Sequence, residues 1–134
     1  MNSEFYEQVE KICQKDTRYK LDAYEFLMEA LFFTQKTLKK PYHVSGKELL
    51  EGIRQLVLER FGPMSLTVLE HWGLHNTGDF GEIVFNLVEA KLLKKTEEDK
   101  ISNFKDVYDF KEAFVEGYKL HLEKQIKKGD LESV

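Results

Sequence analysis

The densest set of chemistry-bearing side chains lies at residues 70–82. His71 and His75 stand four apart, with Glu70, Asp79 and Glu82 close by in sequence. Two histidines at that spacing can share one helix face, and imidazole with carboxylate is a donor set that zinc accepts. The pattern is incomplete. Gly73 interrupts any helix joining the pair, no H-E-x-x-H occurs, and no third ligand stands at a diagnostic spacing. A metal site or enzyme built on His71, His75 and Asp79 is therefore an alternative reading. The leading expectation is two solvated or capping histidines around a turn, with no metal and no cofactor.

Other chemistry finds less footing. The letters Asp79-Phe80-Gly81 match a kinase metal-binding triplet, but the chain has no Gly-rich loop and no HRD motif. Asp79 reads as first-turn helix charge, Phe80 as core and Gly81 as a close-packing position. Cys13 falls within a helical pattern and reads as a packing residue. Ser45 and Glu48 form the S-x-x-E of a capping box, which explains Ser45 better than nucleophilic attack does.

The stretch WGLHNTGDFGEIVFNLVEAKLLKK, residues 72–95, has the rhythm of a helix-turn-helix. In such a motif the second helix enters the major groove. Here that helix would expose Glu82, Asn86 and Glu89, which have the wrong sign for phosphate. Lys91, Lys94, Lys95 and Lys100 could touch a DNA backbone, but Glu97, Glu98 and Asp99 lie among them. The net charge is −4, and Arg18, Arg54 and Arg60 are the only arginines. Arginine is the preferred reader of phosphate and guanine, so nucleic acid is not the expected partner. A DNA-binding winged-helix regulator is kept as the alternative.

The elements that would position these residues are mostly helical. Apolar spacing predicts helices over about 3–15, 20–38, 45–61, 64–72, 78–91 and 109–127. Gly62 followed by Pro63 marks a helix end. The segment 92–105 has a turn-like EEDK at its centre and reads as a short β-hairpin. The expected fold is mainly α (α+β): one domain over 1–134, with a winged-helix-like core over about 45–105. Helices over about 3–38 and 109–127 would flank it.

A chain of 134 residues with 42% hydrophobic side chains can bury a core unaided. One cysteine excludes an internal disulfide and fits a reducing compartment. The sequence shows no secretory signal and no apolar run long enough to span a bilayer. A soluble, cytoplasmic protein with no membrane role is expected.

The phrases RYKLDAYEFLMEAL, HVSGKELLEGIRQL, FGPMSLTVLEHWG, TGDFGEIVFNLVE and VYDFKEAF cover most of residues 18–114. In them the chain resembles a small bacterial family of conserved hypothetical proteins, typical of the planctomycete and verrucomicrobial group. The resemblance implies a shared fold unit. It supplies no activity and no residue roles.

The helix over 20–38 is the remaining unusual feature. Its charges occupy one narrow strip, and apolar residues reach around most of the rest. Such a helix is either central in the fold, which is the leading reading, or shared with a partner. The functional expectation is a non-enzymatic protein–protein interaction domain that self-associates, with Tyr24, Phe26, Leu27 and Phe33 as its interaction residues. A protein partner or homodimer is expected, and no small molecule is identifiable.

Overall fold

Local signals account for most of the helices in the computed structural model, which describes residues 1–41, 43–94 and 100–130. Asn2 caps α1 (Ser3–Lys15) by accepting from the Phe5 amide at 2.9 Å. Helix α2 is Leu21–Leu38 and α3 is Gly46–Phe61. Ser45 and Glu48 complete the capping box that opens α3. Gly62, at φ 52°, closes it. A 3-10 turn, Gly62–Met64, leads into α4 (Ser65–His71). A second capping box, Asn76 with Asp79, opens α5 (Thr77–Glu89). The last helical segment contains a π turn, Glu112–Glu116, then α6 (Gly117–Gln125), then a further π turn, Ile126–Asp130. Helical backbone thus continues past Gly129, which reads in the sequence as a stop.

Helix α2 is the centre of the packing. It lies against α3 and also touches α1 and α5. Phe26 meets Phe61, Glu29 meets Arg60, and Thr34 faces Gly52. Contacts climb one helix as they descend the other, so α2 and α3 are antiparallel. The α2 residues Ala23, Tyr24, Leu27 and Ala30 are fully buried, and one cluster joins buried residues from Phe5 to Phe114. The core therefore does not stop at residue 45, and α2 is no flanking helix.

The expected β-hairpin over 92–105, and the winged-helix reading that depended on it, are overturned. Among the described residues there is no strand. After α5, Lys91 turns into the left-handed region at φ 61°, and the Leu92 amide bonds back to the Leu87 carbonyl. Ile101–Phe104 is a 3-10 turn packed on α5 and α3. The physical reason is Phe104, whose side chain is buried in close contact with Gly46 of α3 and Gly81 of α5, where a 3-10 turn delivers it. Gly81 admits that turn: a Cβ there would stand 2.8 Å from the Phe104 Cβ. Residues 95–99 of the expected hairpin lie outside the described residues.

Candidate functional site

Where α2, α5 and the 101–104 turn meet, they leave an apolar groove of about 710 Å³. Its floor is built from Met28, Leu31, Leu49, Val84, Val88 and Phe104. Two aromatic rings stand at its edge: Phe32 of α2 is 54% exposed and Phe85 of α5 is 38% exposed. The start of α3 closes one end with Val44, Ser45 and Gly46. Ser45 is occupied as the helix cap, accepting from the Glu48 amide at 3.1 Å. The groove lies within the size range of ligand pockets and is partly open to solvent.

A second feature is a polar network that ties the α1–α2 connection to α5. The Arg18 guanidinium donates twice to Asp16, at 2.9 and 2.7 Å, and reaches Glu82 at 3.4 Å. Asn86 Nδ2 donates to Asp16 at 2.9 Å and to the buried Tyr24 hydroxyl at 3.0 Å. Tyr19 donates to Asp79 at 2.6 Å. Asp79 also accepts from the His75 amide at 2.8 Å and the Asn76 amide at 3.3 Å. The hydrogen bonds from Arg18 hold the Asp16 carboxyl well below the usual range, and burial opposes them. Burial and the bond to Asp79 push the Tyr19 phenol up. Burial pushes Tyr24 up to about 12, with the bond from Asn86 acting against it. These groups brace the fold. A carboxylate that accepts three bonds within the chain is poorly placed to act as a free base or ligand.

The network also bears on the helix-turn-helix reading. Glu82 and Asn86, on the α5 face that would meet DNA, are held under the α1–α2 connection by Arg18, Asp16 and Tyr24. Lys91, Lys94 and Lys100 are exposed, whereas Lys95 lies outside the described residues. His71 sits at the end of α4 and His75 in the following turn, both exposed. Among the described residues no group of three or more potential metal-binding side chains comes together. Burial pushes the Cys13 thiol up, and Asp16 and Glu10 add to the effect. A thiol so raised is a poor nucleophile at neutral pH.

The four interaction residues read from the sequence are placed as follows. Tyr24, Phe26 and Leu27 are buried inside the chain, at 0%, 2% and 0% exposure. Phe26 packs against Phe61 and Trp72, with ring centres 5.9 and 5.5 Å away. Phe33 is half-buried and packs against the core. The exposed ring on α2 is instead Phe32, which the sequence reading passed over. A run of two phenylalanines on a helix apolar almost all round gives no local sign of which one faces out. Phe85 stands two residues from both Ile83 and Leu87, away from the Phe80–Ile83–Leu87 stripe and next to the polar face, so an aromatic ring off the apolar stripe was the signal that could have found it.

No protein-family model, no curated protein and no solved structure matches the chain.

Proposed function

We propose that this chain is a non-catalytic protein–protein interaction domain whose working surface is the groove between α2, α5 and the 101–104 turn. The single observation that carries the proposal is an apolar trough lined by helices, with Phe32 and Phe85 exposed at its edge. Exposed aromatic anchors beside an apolar channel suit the apolar face of an amphipathic helix, engaged at i, i+3, i+4 and i+7. A reducing, cytoplasmic setting suits a chain whose one cysteine is Cys13. Among the described residues no helix is long and apolar enough to cross a membrane.

The test is a titration with a model amphipathic helical peptide, followed by amide chemical shifts and calorimetry. Shifts confined to Gly81, Val84, Phe85 and Phe104, and lost in a folded Val84→Trp variant that fills the trough, are expected. Absence of binding would overturn the proposal. So would native mass spectra showing a tightly held lipophile in the purified protein.

A further inference from the structure

We draw no further inference here: the strongest candidate, the apolar groove between α2, α5 and the 101–104 turn with Phe32 and Phe85 at its edge, belongs to the site already described, and nothing in the structure shows what covers it.

Discussion

Asp16 shows how a single residue organises the α1–α2 connection. Its carboxylate receives Arg18 from its own turn and Asn86 from α5, so a loop of five residues, 16–20, is fixed against a distant helix. The sequence labels this stretch only as a polar break. Nothing local shows that Asn86 lies 70 positions away in sequence yet within 2.9 Å. Asp79, by contrast, is legible as a first-turn charge; the structure adds its part in the Asn76 capping box and its bonds from the His75 amide and the Tyr19 hydroxyl. Gly73 is legible as a helix stop, yet its neighbour is not: at φ 92°, an added Cβ would fall 2.0 Å from the Arg18 carbonyl oxygen. Asp16 has a folded-state pKa lowered by Arg18. Its contribution is therefore complete above the unfolded value, about 3.9, and is lost as pH falls through the folded value. Asp16→Asn is expected to lower the urea midpoint at neutral pH, with the gap to wild type narrowing steadily as pH falls below about 4. A gap that stays constant over that range would show that the ion pair contributes nothing through its charge.

At the scale of elements, capping made the helices readable. The Ser45–Glu48 box and the Gly62–Pro63 end stand where the sequence places them, and Asn76 caps α5, a position the sequence left open between Asn76 and Thr77. The failure at 92–105 came from a segment with neither helical stripe nor strand alternation, whose form is set by a glycine on another element. Pair packing was equally hidden. Gly52 sits in mid-helix, where glycine costs about 1 kcal/mol relative to alanine. Its reason is α2: a Cβ at 52 would lie 1.8 Å from Thr34 Oγ1 and 3.0 Å from Thr34 Cβ. Thr34 is buried, and its hydroxyl donates to the Ala30 carbonyl at 2.7 Å, so it has little room to yield. Overpacking of this kind costs about 1–3 kcal/mol, which exceeds the propensity gain. Gly52→Ala is expected to destabilise the protein in chemical denaturation. Adding Thr34→Ala should recover part of the loss, because the hydroxyl clash disappears while the close Cβ approach remains. Purely additive effects in this double-mutant cycle would count against direct α2–α3 contact at this point.

For the whole molecule, three tyrosines act as pins between distant parts of the chain. Tyr19 joins the α1–α2 connection to α5 through Asp79, and Tyr24 joins α2 to α5 through Asn86. Tyr108 joins the C-terminal segment to α3 by donating to the Leu50 carbonyl at 2.8 Å. The sequence displayed these residues near element ends and beside apolar stripes. Their partners, 60, 62 and 58 positions away, could not be read from spacing. Burial is the leading cause that raises all three phenols, with Asp79 adding to it at Tyr19 and Glu51 at Tyr108. A folded-state pKa above the unfolded value of about 10 means the neutral phenol's stabilisation is whole below that pH. It declines as pH rises through the folded value, which for Tyr24 is about 12. The pins should therefore fail together. In an alkaline titration followed by phenolate absorbance and far-ultraviolet circular dichroism, these three of the six tyrosines should stay neutral while the helices persist. They should then ionise in one step with the loss of helix. Tyr24→Phe should release one fewer phenolate in that step and leave Asn86 paired with Asp16 alone. If all the tyrosines ionised gradually near pH 10 with the helical signal intact, the three hydroxyls would be open to solvent. The buried links that join the α1–α2 connection, α5 and the C-terminal segment would then be wrong.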